Sequence, residues 1–378
     1  AIYGWRGSRY QNITDFMDSH PECRLLELGQ NYRSTPEIIA PADKLIRNNK
    51  SHMGKEFRTE NPSGRPVLCR KFRSAEDAAL FVAMTASNAI RAGIPPHEIA
   101  ILYRLNSQSR VLEEEFRRKR IPYKVVGGFS FYERAEVKDC IAMLRLATNP
   151  ADIVAFDRVC SFVPGVGTIA ETKVEDLAMA NPGMGLVRAC GEIAKETKGN
   201  AAAGLRWICD SFTKSGSKLS DVHSCMEGLL SDMRYVDLLR RSKHKNKEDK
   251  EDNVNELMLA ISSNKGVSVS EYVQQIGLLS SSDEETETDR ATMMTLHASK
   301  GLEFDIVFIV GAEDGLLPHS RAVGEREDGL EEERRLCYVG MTRAKKMLNM
   351  TWCQFRRRLS GDLEPQNPSR FLVEAGVI

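Results

Sequence analysis

Near the end of this 378-residue chain stands the stretch Glu331-Glu332-Glu333-Arg334-Arg335-Leu336-Cys337-Tyr338-Val339-Gly340-Met341-Thr342-Arg343-Ala344-Lys345-Lys346, and an apolar run at 347–352 follows it. The acidic residues at its start favour the positive end of a helix dipole, and Leu336 and Val339 supply apolar contacts. The run at 347–352 is typical of a strand. This succession predicts a helix followed by a strand, one step of an α/β fold.

The same alternation recurs elsewhere in the chain. Ser34-Thr35-Pro36-Glu37 has the residues of a capped helix start, with Pro in the first turn and Glu three positions after Ser34. We predict helices at 75–91 and 108–119, and strands at 25–28, 66–72, 99–103, 123–126, 292–296 and 305–310. Strands joined by crossover helices form a parallel sheet, so the predicted fold class is α/β.

The middle of the chain has a different pattern. From about residue 133 to residue 276 the strand signal disappears, and segments with a helical pattern alternate with Pro and Gly. We therefore predict an α/β domain in two halves, 20–128 and 290–378, which is interrupted by a mostly α-helical inserted domain at 129–289.

The composition of the chain limits the classes of protein to which it can belong. Lys+Arg and Asp+Glu both number 53, so the net charge of zero gives no sign of a nucleic-acid binder, and any basic groove must come from local placement. The nine cysteines include no C-x-x-C pair, which argues against a zinc site and a disulfide framework, and we predict no metal site. Reduced thiols and the lack of a long apolar stretch predict a cytoplasmic protein.

Three polar segments are candidates for chemistry. Tyr32 and Arg33 follow a predicted strand, and open α/β sheets bind ligands beyond the carboxyl ends of their strands. The loop 295–304 carries His, Ser, Lys and Glu, which can touch phosphate or sugar. Arg343, at a helix end, suits charge that builds on a γ-phosphate. Taken singly, the first segment is better explained as a packed Tyr with a surface Arg, and Arg343 as a cation that compensates the helix dipole. A crossover turn is the alternative explanation of the loop.

Together, the segments resemble in order the motor motifs of superfamily 1 DNA helicases of the UvrD, Rep and PcrA group. Ile2-Tyr3-Gly4-Trp5-Arg6-Gly7 resembles the end of the third motif, Asn31-Tyr32-Arg33-Ser34 the fourth, 295–304 the fifth and 331–344 the sixth. The resemblance covers essentially the whole chain. It implies a RecA-like α/β domain, similar to P-loop NTPases, yet the phosphate loop G-x-x-x-x-G-K-[ST] is absent from these residues.

The resemblance implies an ATP cleft between two RecA-like domains, to which this chain contributes one side. Tyr32 would stack on adenine, and Arg33 and Arg343 would contact the γ-phosphate as catalytic cations. Glu303 would bind the ribose, with Gly301 beside it. ATP and Mg²⁺ are the implied cofactors of the full-length enzyme, and we expect neither to bind tightly to this chain alone.

The resemblance also implies a track for single-stranded DNA. Tyr3 and Trp5 fall in the motif whose aromatic side chain stacks on a base, and His297 falls where the fifth motif contacts the strand.

A third set of residues lies in the predicted insert. Gly165, Gly167 and Thr168 resemble a loop that grips duplex DNA, because a Gly-x-Gly turn lets backbone N–H groups approach phosphates. An ordinary helix–helix turn explains these residues equally well.

By the resemblance, the phosphate loop, the Asp-Glu magnesium pair and the glutamine of the third motif would precede Ala1, and residues 1–19 would be a remnant of the first RecA-like domain. We therefore expect the C-terminal portion of an ATP-dependent 3′-to-5′ DNA helicase of DNA repair or replication, inactive as an ATPase by itself. The expected partners are single-stranded DNA, single-strand/duplex junctions, the first RecA-like domain, and repair or replication proteins in the nucleoid. A stand-alone DNA- or protein-docking module and a helicase–nuclease subunit of the RecB or AddA kind are the alternatives.

Overall fold

The computed structural model describes residues 2, 11–24, 26, 28–50, 57–126, 129–181, 183–215, 218–241, 247–264, 266–280, 289–325, 327–358 and 362–378. The chain divides into two compact units. The α/β unit comprises Ala1–Ser130, Glu287–Arg357 and Leu363–Ile378, and the helical unit comprises Phe131–Thr286 and Arg358–Asp362. In the described part of the chain, no helix has both the length and the apolar character needed to cross a membrane.

The helices, in chain order, are α1 (Gln11–Ser19), α2 (Pro36–Ile46), α3 (Ala75–Arg91), α4 (Ser109–Arg118), α5 (Ala135–Thr148), α6 (Ile153–Phe162), α7 (Thr168–Ala180), α8 (Leu186–Glu196), α9 (Gly199–Ser215), α10 (Val222–Asp232), α11 (Tyr235–Arg241), α12 (Lys247–Ser262), α13 (Val269–Ser280), α14 (Ser320–Glu325), α15 (Gly329–Met341) and α16 (Arg370–Glu374). The strands are β1 (Gln30–Asn31), β2 (Arg58–Thr59), β3 (Leu68–Phe72), β4 (Ile99–Tyr103), β5 (Tyr123–Val126), β6 (Ala291–Thr295), β7 (Phe304–Val310), β8 (Ala344–Cys353), β9 (Phe355–Arg357) and β10 (Leu363–Pro365).

Six strands form one parallel sheet in the order β3-β8-β7-β4-β6-β5. Every residue of β4 and β7 is buried, as expected for parallel strands that are covered by helices on both faces. Residues of α2, α15 and α16 form the core on one face, and residues of α3 and α4 form the core on the other. The predicted α/β fold with a parallel sheet is confirmed.

The helical unit has a core of its own. Buried side chains from α5 to α13 form one cluster, which includes Phe156, Leu205 and Tyr235. This unit therefore contains enough apolar side chains to pack around its own centre.

The sheet register defines where the functional candidates lie. Phe304 at the start of β7 pairs with Ala344 at the start of β8. Because the two strands are parallel, the residues just before them, Glu303 and Arg343, lie at the same end of the sheet. We call this the amino end of the sheet, and the opposite end the carboxyl end.

Two local predictions were wrong. Leu26 and Leu28 are not in a strand but are 70% and 83% exposed, and the strand in this region is the two-residue β1, which pairs with β2 outside the main sheet. Helix α2 does begin after Thr35, but no side chain caps it. The Glu37 carboxylate instead accepts hydrogen bonds from Ser63 Oγ and from the Gly64 N–H at 2.7 Å, so the predicted capping box is absent there.

Candidate functional site

The segment that carries Tyr32 and Arg33 is held by an Asn turn. The Asn31 Oδ1 atom accepts hydrogen bonds from the N–H groups of Arg33, at 2.9 Å, and Ser34, at 2.8 Å. Ser34 Oγ donates to the Ala344 carbonyl at 2.6 Å, and the Thr35 N–H donates to the Lys345 carbonyl at 3.2 Å. Short polar side chains favour such local turns, and this one joins the segment to the start of β8.

Arg33 is oriented by two contacts from distant parts of the sequence. Its Nε lies 2.7 Å from Glu303 Oε2, and its Nη1 donates to the Thr342 carbonyl at 3.3 Å. The hydrogen bond from Arg33 lowers the pKa of the Glu303 carboxyl. The Glu303 side chain is nevertheless 51% exposed, so this ion pair is accessible to a ligand from solvent.

Arg343 lies just beyond the end of α15, where its guanidinium donates to three oxygens. Nε contacts the Val339 carbonyl at 2.8 Å, Nη1 the Leu302 carbonyl at 3.0 Å, and Nη2 the Thr342 Oγ1 at 3.1 Å. Burial, and then the nearby charge of Arg33, lower the pKa of Arg343 to about 10. Among the residues that the structure describes, no carboxylate is hydrogen-bonded to Arg343.

We call Arg33, Glu303 and Arg343 the arginine cluster. It contains two guanidinium groups and one carboxylate, so it carries an excess positive charge. A guanidinium has five N–H donors, and the contacts above leave at least two of them unused on Arg343. An anion that approaches this end of the sheet would therefore find charge and donors in a fixed arrangement.

The arginine cluster lies at the amino end of the sheet. The predicted position of Arg33, beyond the carboxyl ends of the strands, was wrong. The reason is topological: Glu303 and Arg343 immediately precede β7 and β8, and Arg33 contacts both of these junctions. The predicted position required the segment before Arg33 to be a strand of the main sheet, which it is not.

Two further candidates lie around the cluster. The Tyr32 side chain is 82% exposed, so its ring is available for stacking. Gly301 has φ +90°, and a Cβ atom there would meet no atom within 4 Å. Glycine at this position is favoured by the left-handed backbone of the turn before Glu303, and not by a lack of space.

The DNA-contact candidates of this unit do not join the cluster. His297 follows β6, so it lies at the carboxyl end of the sheet. The connection between His297 and Glu303 runs back to the amino end, as a parallel crossover must. Tyr3 and Trp5 lie outside the described residues.

The Gly-x-Gly turn of the helical unit has two different glycines. Gly165 has φ +88°, and a Cβ atom there would lie 2.5 Å from the Asn200 carbonyl oxygen, so both backbone and space require glycine. Gly167 has φ −121° and no neighbour within 4 Å of a Cβ. It precedes α7, whose first residue Thr168 is exposed, and no side chain caps this helix. Neither the backbone conformation nor a lack of space for a side chain explains why position 167 is a glycine.

Sequence reasoning missed an ion-pair network next to the arginine cluster. Lys345 Nζ lies 2.7 Å from a Glu98 oxygen and 3.0 Å from an Asp305 oxygen, and Lys346 Nζ lies 2.7 Å from the other Asp305 oxygen. Burial would raise the pKa of Asp305, but hydrogen bonds from Lys346 and Lys345 hold it below its ordinary value. The only sequence signal was that each charged residue borders a predicted strand.

Comparison with known proteins agrees with the motif order. The UvrD-like helicase C-terminal domain matches residues 26–355. The ATP-dependent DNA helicase PcrA of Staphylococcus aureus strain Mu50 is 35% identical to this chain over 388 residues, covering 99% of this chain and 52% of that protein. PcrA of Staphylococcus epidermidis strain RP62A is 34% identical with the same coverage. The chain therefore spans about half the length of the curated relatives it matches.

The family match extends over most of the chain, and the relatives align with nearly all of it. The resemblance deduced from the motifs is thus confirmed: this chain belongs to the UvrD-like helicase C-terminal domain family and is homologous to PcrA, a helicase of the UvrD and Rep type.

Proposed function

We propose that this chain is the second motor domain and inserted domain of an ATP-dependent 3′-to-5′ DNA helicase. In this proposal Arg33 and Arg343 contact the γ-phosphate of ATP, most of which is held by a first RecA-like domain. The observation that carries the proposal is the arginine cluster, in which two guanidinium groups lie near a single carboxylate, itself paired with Arg33, at one end of the sheet.

The electrostatics of the cluster suit a catalytic role. Arg343 is partly desolvated and lies near the cation Arg33. A bound phosphate would therefore offset the repulsion between these two guanidinium groups in the folded chain. Its contacts with Val339, Leu302 and Thr342 fix the guanidinium before any ligand binds. A preorganised cation is what phosphoryl transfer requires, because its transition state spreads negative charge over the γ-phosphoryl oxygens.

The neighbouring residues would orient the nucleotide. The exposed Tyr32 ring would stack on adenine, and Glu303 would exchange its contact with Arg33 for the ribose, with Gly301 forming the adjoining turn. Such an exchange would free Arg33 for the phosphate at the moment when the nucleotide is bound.

The cluster does not fit a magnesium ion. Mg²⁺ takes oxygen ligands, and the one carboxylate of the cluster is already paired with Arg33. The metal ligands, like the phosphate loop, would have to come from another part of the enzyme. We therefore propose that this chain alone does not hydrolyse ATP.

We propose that DNA follows a separate surface. His297, at the carboxyl end of the sheet, and Tyr3 and Trp5 would contact single-stranded DNA, and Gly165, Gly167 and Thr168 would bind duplex phosphates through backbone N–H groups. The partners would be single-strand/duplex junctions, the first RecA-like domain, and repair or replication proteins in the cytoplasm and nucleoid. ATP-driven motion would carry the enzyme along one strand and unwind the duplex.

Two ATPase measurements test this proposal. This chain alone, with single-stranded DNA, should show no turnover. In a longer enzyme that joins this chain to a first RecA-like domain, Arg343→Ala should lower kcat about a thousandfold, because arginine fingers contribute effects of this order. Arg91→Ala, which removes an exposed arginine at the end of α3, is the matched control and should leave kcat unchanged.

Robust turnover by this chain alone, abolished by Arg343→Ala, would show that its own residues complete the site. A longer enzyme whose kcat survives Arg343→Ala would remove the catalytic role of the arginine cluster.

A further inference from the structure

The main sheet of the α/β unit has an open edge at β3. This strand is the outermost in the sheet order, and it pairs with β8 on one side only. In the part of the chain that the structure describes, no other strand pairs with its second side. An open edge of this kind can accept a further strand from another molecule.

Alternate residues of β3 present their backbone groups to the open side. The Gln354 N–H donates to the Phe72 carbonyl at 2.8 Å, so the backbone groups of Phe72 face β8, and in a parallel ladder those of Arg70 face β8 as well. The N–H and C=O groups of Cys69 and Lys71 therefore point away from the sheet. Among the described residues, no protein group forms a hydrogen bond with these four backbone groups. They are a short row of donors and acceptors with which an extended peptide can pair.

The open edge is strongly basic. The segment 65–73 contains four cations, Arg65, Arg70, Lys71 and Arg73, and no acidic residue. All four side chains belong to exposed residues, and within the described ranges none of them is paired with a carboxylate. We call residues 65–73 the basic edge.

Two aromatic rings hold cations on opposite faces of the basic edge. The Arg70 guanidinium carbon lies 4.9 Å from the centre of the Phe81 ring, on the face that α3 covers. Lys71 Nζ lies 5.9 Å from the centre of the Trp352 ring, on the other face. Such contacts orient a cation without neutralising its charge. A strand that is added to this edge would therefore meet a cation on each of its two faces.

The charge of the basic edge determines which molecule suits it. A second copy of this chain would bring the same four cations into opposition, and like charges directly opposite each other on paired strands are destabilising. Nucleic acid would satisfy the cations, but its phosphates would offer no donors to the C=O groups of Cys69 and Lys71. A peptide rich in Asp and Glu supplies carboxylates for the cations together with backbone donors and acceptors for the open row.

We propose that the basic edge binds an extended acidic segment of a partner protein by strand addition. The backbone of the segment pairs with the outward N–H and C=O groups of Cys69 and Lys71, and its carboxylates contact the exposed cations. This surface shares no residue with the arginine cluster, so the proposal does not depend on the proposed function of that cluster.

Amide hydrogen exchange, followed by nuclear magnetic resonance, tests the backbone pairing with the peptide acetyl-Glu-Val-Glu-Val-Glu-Val-Glu-amide. In the free chain, the N–H groups of Cys69 and Lys71 should exchange quickly, and those of Arg70 and Phe72 slowly, because only the second pair bonds to β8. A saturating concentration of the peptide should slow exchange at Cys69 and Lys71 by about tenfold or more.

Calorimetric titration with two matched peptides separates pairing from charge. The same peptide with a methyl group on every backbone nitrogen keeps its carboxylates but cannot donate to the edge. It should bind at least about tenfold more weakly, since several hydrogen bonds are lost. A peptide with Lys in place of each Glu keeps the backbone donors and should show no binding, because it opposes the four cations.

Variants of Lys71 make the same separation in the protein. Lys71→Pro removes an N–H that points away from β8, which an edge strand tolerates, and it should weaken peptide binding by about tenfold or more. Lys71→Glu keeps this N–H and reverses the charge, and it should weaken binding by a similar factor even if Lys71→Pro does not fold. Lys124→Glu is the matched control: Lys124 is an exposed lysine of β5, at the opposite edge of the sheet, and affinity should not change.

Three results would overturn the proposal. If the methylated peptide binds as tightly as the unmodified one, and Cys69 and Lys71 stay unprotected, the edge attracts acidic chains by charge alone. If an oligothymidine strand binds and Lys71→Glu abolishes its binding, while the acidic peptide does not bind, the basic edge is a nucleic-acid surface. An absence of binding of both at millimolar concentration would mean that the cations only keep copies of the chain apart. All three outcomes leave the helicase proposal standing.

Discussion

The two ends of the same parallel sheet carry charged clusters of opposite character. At the carboxyl end, Glu333 accepts hydrogen bonds from Arg104 Nε and Nη2 at 2.9–3.1 Å and from the His319 N–H at 2.9 Å, and its side chain is only 3% exposed. At the amino end, Glu303 pairs with Arg33 near the second cation Arg343, and the Glu303 side chain is 51% exposed. One cluster is buried and matched in charge, and the other is open and has an excess of cations.

A second pair at the carboxyl end follows the same pattern. The Glu313 side chain is fully buried, and it accepts hydrogen bonds from the Cys353 N–H at 2.6 Å and from Arg356 Nε at 2.7 Å. Carboxylates with all their partners in place hold connections together, and they have little capacity for a ligand. The charges at the carboxyl end therefore maintain the fold, whereas the charges at the amino end remain accessible to a ligand.

The largest expected effect comes from breaking the matched cluster. Glu333→Ala leaves the Arg104 side chain, which is only 16% exposed, without its carboxylate partner, and it should lower the free energy of unfolding by about 3–5 kcal/mol. The matched control at the other end, Glu303→Ala, should cost less than about 1 kcal/mol, because its ion pair is exposed to solvent. Urea unfolding of both variants measures the difference, and equal costs would erase the distinction between the two ends.

A smaller effect, an increase in the free energy of unfolding, is expected when Arg343 is replaced. Its pKa in the folded chain is lowered to about 10, below the ordinary value of an arginine, so the unfolded chain holds this proton more tightly. The resulting cost to the stability of the fold is fully present below about pH 10 and disappears as the pH rises from there to the ordinary pKa of an arginine. At neutral pH, Arg343→Gln should therefore raise the free energy of unfolding by about 1 kcal/mol, since Gln can still donate to Val339 without a buried charge.

Thermal unfolding at pH 7 checks this expectation, with Arg104→Gln as the matched arginine variant. Arg104 has a buried carboxylate partner, so its replacement should lower the melting temperature. If Arg343→Gln also lowers the melting temperature, the hydrogen bonds of the Arg343 guanidinium stabilise the fold by more than its desolvation costs. Arg343 would then stabilise the fold as Arg104 does.

The smallest effect concerns the pH dependence of Glu303. The hydrogen bond from Arg33 lowers its pKa below the ordinary 4.5, so the carboxylate stabilises the fold above that pH, and this contribution is lost as the pH falls through the lowered value. Nuclear magnetic resonance of the Glu303 side-chain carboxyl should give a midpoint below 4.5, and Arg33→Gln should move it upward. A midpoint that is unchanged by Arg33→Gln would mean that the ion pair is not populated in solution.

Much of the fold could be predicted from local patterns. Strands 99–103 and 123–126 and helix 75–91 were predicted with the bounds that β4, β5 and α3 have, because long periodic or apolar runs between turn residues specify their own conformation. The region 25–28 was misassigned because an apolar run carries no information on whether a neighbouring strand exists to pair with it. Leu26 and Leu28 have no such strand among the described residues.

The sequence predicted which residues belong to the candidate site, but not how they are arranged. Motif order indicated Arg33, Glu303 and Arg343, and the family match agrees with the motifs that contain them. Nothing in the residues showed that the site would lie at the amino end of the sheet, or that Glu303 would pair with Arg33. Lys345 and Asp305, which complete the charge pattern of that end, carried no motif of their own.

The sequence by itself determined the family, the α/β class and the identity of the charged residues, because motif order and periodicity are properties of the chain read in one dimension. Only the tertiary structure decided how those charges are balanced. Arg33 and Glu303 are 270 residues apart, and they meet because the parallel register brings the starts of β7 and β8 to one end of the sheet. Charge balance depends on distances and burial, which the fold sets, and so the open cluster and the matched one become distinguishable only in three dimensions.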